Sequence, residues 1–437
     1  MFHNKIIKLF STVGLIFVFV LTALFGIKNS AKADSLWSDI YSPSNYENPY
    51  AKDRIIVALK KGADYMVMQE KEGLTFERNL SSEDSQYEIV LYSVKDKSAE
   101  GVIEAINAVR SDSSVVYAEP DYYVTAIGTV PNDPGYSKLY GMTKISAPTA
   151  WDTHTGAKNV VVGVIDSGVQ YTHPDLASNI WVNPGEIAGN GIDDDNNGYV
   201  DDVYGWNFVN NNNNPLDDNG HGTHVAGTIG AVGNNGTGVV GVTWNTQIAA
   251  LKFLDSTGGG YTSDAILAIN YAKKMGFAIL NNSWGGGGYS SSLKSAIDAY
   301  SGLFVAAAGN TGTNNDSTAS YPASYTSANI IAVAATTSTD ARASYSNYGK
   351  TSVDLGAPGD AIYSTYMGSS YATLNGTSMA TPHVAGAAAL LKSYKTSLTT
   401  AQLKAAILNN VDAVTSLKNL TVTGGRLNVA KSLASVK

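Results

Sequence analysis

Asn159 to Ile165 (NVVVGVI) is an unbroken apolar run, mostly β-branched. A strand with one wet face alternates apolar and polar residues, whereas a run without alternation needs cover on both faces. Similar runs follow at Gln247–Leu254, Ala278–Ser283, Leu303–Ala308, Ile330–Ala335 and Ser352–Leu355. Helix-like stretches, Ser263–Met275 and Ser291–Tyr300, lie between some of them. Strand alternating with helix predicts an α/β fold with a doubly wound, mainly parallel sheet. Function in such sheets gathers at the carboxyl ends of strands. Asp166, Ser283 and Gly309-Asn310 all fall at such ends.

A chain of 437 residues has room for two or three folding units. Its net charge is −8 and no basic tract follows the N-terminus, so nucleic acid is not an expected partner. It has no cysteine, which excludes disulfides, zinc-thiolate sites and thiol catalysis. Lys5 and Lys8 precede an apolar run, Leu9 to Ile27, and Ala31-Lys32-Ala33 offers small residues where a signal peptidase reads. The expectation is a signal peptide over residues 1–33 and a secreted, extracellular product with no membrane attachment after cleavage. A retained anchor is the competing reading. No later segment is apolar enough to span a bilayer.

Residues 34–127 differ in texture. From about Tyr50 the segment is rich in Lys and Glu. Ile55–Lys60, Tyr87–Val94 and Val115–Ala118 read as strands, and Ala63–Lys71 as a helix. Ser98–Val109 carries apolar residues at helical spacing. The pattern predicts a small α+β unit of ferredoxin-like type. Thr125–Thr129 reads as an exposed linker, and the large domain is expected over residues 128–437.

Gly376-Thr377-Ser378-Met379-Ala380-Thr381-Pro382 precedes a small, apolar run, Val384 to Leu391, which reads as a buried helix. Pro382 is expected in its first turn, where a missing N–H costs nothing. Ser378 then stands where a loop enters a helix and free N–H groups meet the positive end of the dipole. Alone, such a serine is usually a cap. Within Asn219 to Gly227, Gly222 and Thr223 start another small-residue helix, and His221 stands at its head. His221 and His224 do not make a convincing zinc pair, because the Glu of H-E-x-x-H and a third ligand are missing.

The order Asp166…His221…Ser378 sits in Val164-Ile165-Asp166-Ser167-Gly168, His221-Gly222-Thr223-His224-Val225-Ala226-Gly227 and the Ser378 motif. With these surroundings the chain resembles the subtilisin family of serine proteases from about Pro131 onward. The order itself is a known mark of that family. Ala380 replaces the last Gly of G-x-S-x-G, which argues against a lipase or esterase. The resemblance implies a serine endopeptidase acting on proteins or peptides through an acyl-enzyme, with Ser378 as nucleophile and His221 as base. Asp166 would orient the imidazole, and Asn310 with the Ser378 N–H would bind the oxyanion.

It also implies a substrate groove. Ser283-Trp284-Gly285 and Ala308-Gly309 would wall the main specificity pocket, with Ser320 near its base. Trp284 and Tyr261 would flank an outer subsite. No acid stands there to select Lys or Arg, so broad specificity with an apolar or aromatic preference is expected.

Asp193, Asp195 and Asn197 alternate in an acidic loop ahead of Asp201 and Asp202, with Gly198 permitting a sharp turn. This is similar to the first half of an EF-hand loop and predicts Ca²⁺. The likeness to thermitase-type subtilases implies a second Ca²⁺ site, from Asp133, Asp175, Asn235 and the carbonyls of Val232, Thr237 and Val239. It also makes residues 34–127 a propeptide that templates folding, inhibits the groove and is removed by the enzyme itself, leaving a monomer. Two rival expectations are a dedicated maturation protease for one precursor, and an inactive secreted protein that binds in a calcium-dependent way.

Overall fold

The computed structural model describes residues 50–66, 68–69, 73–122 and 128–437. The leader expected over residues 1–33 and the linker residues 125–127 lie outside that set. The chain divides into two compact units, residues 1–127 and 128–437.

In the first unit, β1 (Tyr50–Lys60), β2 (Thr75–Asn79), β3 (Tyr87–Ser93) and β4 (Val115–Tyr122) form a sheet of order β2-β3-β1-β4. Its neighbours are all antiparallel. Helix α1 (Ala99–Val109) crosses from β3 to β4 and buries Val102, Ile106 and Val109. Ser98 caps it by accepting the Gly101 N–H at 2.9 Å. This is the ferredoxin-like arrangement that the strand and helix spacing predicts. The sequence does not announce β2, because TFERN is short and mostly exposed. Of the helix expected over Ala63–Lys71, residues 67, 70 and 71 lie outside the described set.

The second unit is built on a nine-stranded sheet of order β14-β15-β11-β10-β9-β8-β5-β7-β6. The strands are β5 (Gly156–Asp166), β6 (Gly205–Asn207), β7 (Asn245–Lys252), β8 (Ile279–Asn282), β9 (Leu303–Ala307), β10 (Ile330–Thr336), β11 (Leu355–Pro358), β14 (Asp412–Ala413) and β15 (Gly425–Arg426). Every pairing is parallel except the one at the β14 edge. A two-stranded hairpin, β12 (Ile362–Tyr366) and β13 (Ser370–Leu374), stands apart. Helices α2 (His221–Gly230), α3 (Thr262–Lys274), α4 (Ser291–Ala299) and α5 (Thr377–Tyr394) cover the sheet. Because β9, β8 and β5 are neighbours, their carboxyl ends bring residues 308–310, Ser283 and Asp166 to one edge.

Two expectations move. The strand read at Ser352–Leu355 begins only at Leu355. The hydroxyls of Thr351 and Ser352 are drawn to Asp316 Oδ1 (2.8 and 2.6 Å), which holds that segment in a turn. The other concerns Pro382. Helix α5 starts at Thr377, so Pro382 lies beyond the first turn. Its missing N–H leaves the Ser378 carbonyl without an intrahelical donor. The Ser283 hydroxyl supplies one at 2.8 Å.

Helix α2 packs closely on β12. A Cβ on Gly227 would lie 2.2 Å from Thr365 Oγ1, 2.5 Å from Ser364 Oγ and 3.0 Å from the Thr365 main-chain nitrogen. Both hydroxyls are fixed, donating to the carbonyls of Thr223 and His224. Alanine would gain about 1 kcal/mol of helix propensity, but overpacking of fixed atoms costs about 1–3 kcal/mol. The clash should win: Gly227→Ala is expected to lower Tm in thermal denaturation, and an equal or higher Tm would show that the contact is loose.

Candidate active site

Asp166 ends β5 with its side chain fully buried. Its Oδ1 lies 2.8 Å from His221 Nδ1 and accepts the Ser167 N–H at 2.7 Å. Its Oδ2 is buried without a protein partner. His221 is the first residue of α2 and its side chain is 26% exposed. Burial pushes its pKa down, but the charge and hydrogen bond of Asp166, with the charge of Asp217, outweigh that and raise it. His224, one turn on, does not share a site with it. Its Nε2 lies between the carbonyls of Ile362 (2.9 Å) and Ala372 (3.1 Å), and burial lowers its pKa to about 4.

Residues that sequence reasoning missed hold this pair. Asp217 Oδ1 accepts from the Ser167 hydroxyl and from the N–H groups of Asn219 and Gly220; Oδ2 accepts from the N–H and hydroxyl of Thr223. The carboxylate thus caps α2 and fixes the angle at which His221 leaves it. The Ser167 hydroxyl accepts the Gly222 N–H at 2.9 Å. The signal was available: Asp217 opens an Asp-Asp-Asn-Gly turn before a helix.

Ser378 lies in the first turn of α5, next to Gly376 at φ 152° and ψ 161°, a region open essentially to glycine alone. Its hydroxyl donates to the Ser283 carbonyl at 2.9 Å. Ser283 and Ser378 therefore bond reciprocally, each hydroxyl to the other's carbonyl. Asn310 Oδ1 accepts the N–H and the hydroxyl of Thr377, both at 2.9 Å. That leaves its Nδ2 as a free donor. The point where a Cβ on Gly376 would sit is 3.5 Å from both Asn310 Nδ2 and Ser378 N, so the two donors border one small space. The loop carrying Asn310 is braced by Asn347, whose Oδ1 accepts three bonds from Thr311 and Thr313, and by Asn315, which donates to the Ala308 carbonyl.

The expected groove residues divide. Gly285 and Gly309 both face Ser320: a Cβ on each would lie 3.8 and 3.2 Å from its hydroxyl. Trp284 stacks edge-on against Phe253 with centroids 4.8 Å apart, and Phe253 in turn abuts Gly260. Tyr261, next to Gly260, is 79% exposed. The Ala308 side chain is fully buried in a small cluster with Ala334 and Val353.

Two acidic clusters form. Asp133 accepts the Asn234 N–H at 2.7 Å, and Asp175 accepts from Asn235 Nδ2 (2.8 Å) and the Val239 N–H (2.7 Å). Thr237 donates its N–H to Asn235 Oδ1, and the Val232 N–H meets the Asp175 carbonyl. Burial, reinforced by Asp133, raises the Asp175 pKa to about 6 against its hydrogen bonds. In the second cluster Glu186, Asp193 and Asp195 bring carboxylate oxygens within 4.8 Å of one another. Glu186 is an addition to the sequence reading. Asn197, Asp201 and Asp202 make hydrogen bonds beside this group. Asn197 braces Asp195 and Asp202 through its amide. Asp201 accepts the N–H groups of Gly189, Asn190 and Gly191, and Asp202 faces inward to Tyr271, Asn183 and Asn197.

The subtilase family pattern matches residues 157–426. Thermitase from Thermoactinomyces vulgaris is 41% identical over 307 residues, covering 69% of this chain and 99% of thermitase. A thermophilic serine proteinase of Bacillus sp. (strain AK1) is 42% identical over 304 residues, covering 69% of this chain and 68% of its own length. Among solved structures, a protease from Pseudoalteromonas arctica superposes with a TM-score of 0.60 at 30% identity, over 71% of this chain and 100% of that one.

The histidines should titrate far apart. NMR of a Ser378→Ala variant is expected to place His221 above the ordinary value of about 6.5, with His224 and His383 near 4. The lowered pair carries a stability consequence. Their contribution is complete above the unfolded value and is lost as pH falls toward 4. A His221 pKa below 6.5 would contradict the Asp166 pairing.

Proposed function

The chain belongs to the subtilase family of serine endopeptidases, and from that premise we propose that it is a secreted, calcium-stabilised enzyme that matures itself from a pre-pro form. The observation that carries the reading is the Asp166–His221 pair at 2.8 Å, set at the same sheet edge as Ser378 and its two free donors. Before attack, the Ser378 hydroxyl leaves the Ser283 carbonyl by rotating about χ1 between staggered positions. His221 Nε2 takes its proton as Oγ bonds the scissile carbonyl carbon. Asp166 stabilises the imidazolium that results. The oxyanion receives hydrogen bonds from Asn310 Nδ2 and the Ser378 N–H. His221 then gives the proton to the leaving amine, and water releases the acyl group by the same route.

Ser320, Gly285, Gly309 and the main chain at Ala308 suit a neutral pocket, which supports broad cleavage after apolar or aromatic residues. Trp284 and Tyr261 would bound an outer subsite. The unit at 34–127 would template folding and then occupy the groove until Ser378 cuts the linker near residues 126–128.

Both acidic clusters fit Ca²⁺, a hard cation that prefers oxygen ligands. Asp175 is fully buried, and among the described residues no Lys or Arg pairs with it or with Asp133. Asp133, Asp175, Asn235 and the carbonyls of Val232, Thr237 and Val239 would hold one ion. Glu186, Asp193 and Asp195 would hold another. An ion there would neutralise repelling carboxylates and tie down loops that no disulfide restrains.

Two experiments test this reading. Ser378→Ala should accumulate as the full precursor and digest neither casein nor a peptide library; normal maturation would mean that another protease does the cutting. Chelation of the mature protein should lower its Tm, and an unchanged Tm would remove calcium from the account.

A further inference from the structure

Lys252 ends β7 in register with Asp166 on β5, and its side chain is only 2% exposed. An ammonium has three N–H donors, and each finds an acceptor: the carbonyls of Ser167 and Leu254, both at 2.8 Å, and Asp218 Oδ1 at 2.6 Å. Burying an ammonium is costly. Asp218 does not require it, because that side chain is 48% exposed and water can solvate it. Packing does not require it either, since Met would fill similar volume.

The acceptors suggest what the charge does. Ser167 directly follows Asp166, donates its N–H to Asp166 Oδ1, and receives the Gly222 N–H on its hydroxyl. Asp218 lies in the turn that leads into His221. Leu254 follows β7, and its N–H returns to the Asp166 carbonyl at 3.2 Å. One buried cation thus clamps the segment carrying Asp166 to the segment carrying His221.

We propose that Lys252 is a positioning residue for the reaction: it fixes the approach of Asp166 to His221 and is the cation that offsets the acidic groups around the imidazole. Those groups are Asp166 from β5 and Asp217 from the turn before α2; Asp218, in the same turn, is paired with Lys252 itself. His224 lies on the same helix as His221. Without Lys252 the field at His221 becomes more negative, the imidazolium is favoured, and the base stays protonated to higher pH.

The proposal rests on the triad reading, so its test begins by titrating wild-type active sites with a phosphonofluoridate. A wild type that does not titrate defeats the triad reading itself. Against titrated enzyme, Lys252→Met should lower kcat about 10-fold with KM little changed, since small displacements of catalytic groups are costly. It should also move the acid limb of kcat/KM up by roughly half a pH unit. A merely structural residue would lower the yield of titratable sites but leave that limb in place. Lys252→Arg decides the matter if Lys252→Met gives no titratable enzyme. It keeps the charge but not the three-point fit, so the limb should stay while kcat falls. An unmoved limb in Lys252→Met, or an unchanged kcat in either variant, overturns the proposal.

Discussion

The bond from the Ser283 hydroxyl to the Ser378 carbonyl is the contact on which the site depends. It exists because Pro382 withholds the N–H that would otherwise occupy the Ser378 carbonyl. In an unbroken helix that carbonyl would face along the axis, and the Ser283 hydroxyl would have no partner there. The proline therefore costs α5 one internal bond and joins the head of the helix to the end of β8. It also explains why the segment after Ser378 is so uniformly small and buried: α5 lies against β5, β8, β9 and β10, and has no room for long side chains.

Around this joint, polar side chains do what disulfides do elsewhere. Asp217 and Ser167 fix the head of α2. Thr377, Asn315 and Asn347 fix the loop that carries Asn310. Each buried donor placed in this way avoids the cost of an unmet hydrogen bond, about 1–3 kcal/mol. Asp166 Oδ2 is a departure from that economy. The buried Asp166 carboxylate is less well stabilised while His221 is neutral. It gains when the imidazole becomes charged. In the proposed reaction that difference would favour the transition state over the ground state, which is the condition for acceleration.

The fold was legible where periodicity was strong. Asn159–Ile165 and the later runs mark strands because most of their side chains are apolar and buried, and the shift to Leu355 arose from Asp316, far off in sequence. Asp166, His221, Ser378 and Asn310 were legible through their motifs. Their supports were less so, for a physical reason. Lys252 stands in an apolar strand, where a lysine ordinarily points to solvent, and its acceptors come from three separate segments. Glu186 lies well before the acidic loop it joins. Spacing alone does not show that the turn at Gly189–Gly191 brings three N–H groups to Asp201. Pro382 reads as a first-turn residue because a sequence does not show that the helix has already begun at Thr377.

The most direct test of the account is a peptide map of the wild-type protein after reaction with a serine-directed phosphonofluoridate. The account predicts one adduct, on Ser378, formed at a rate that falls as pH drops through the raised His221 pKa. An adduct on another serine, or none on folded and processed protein, would contradict it.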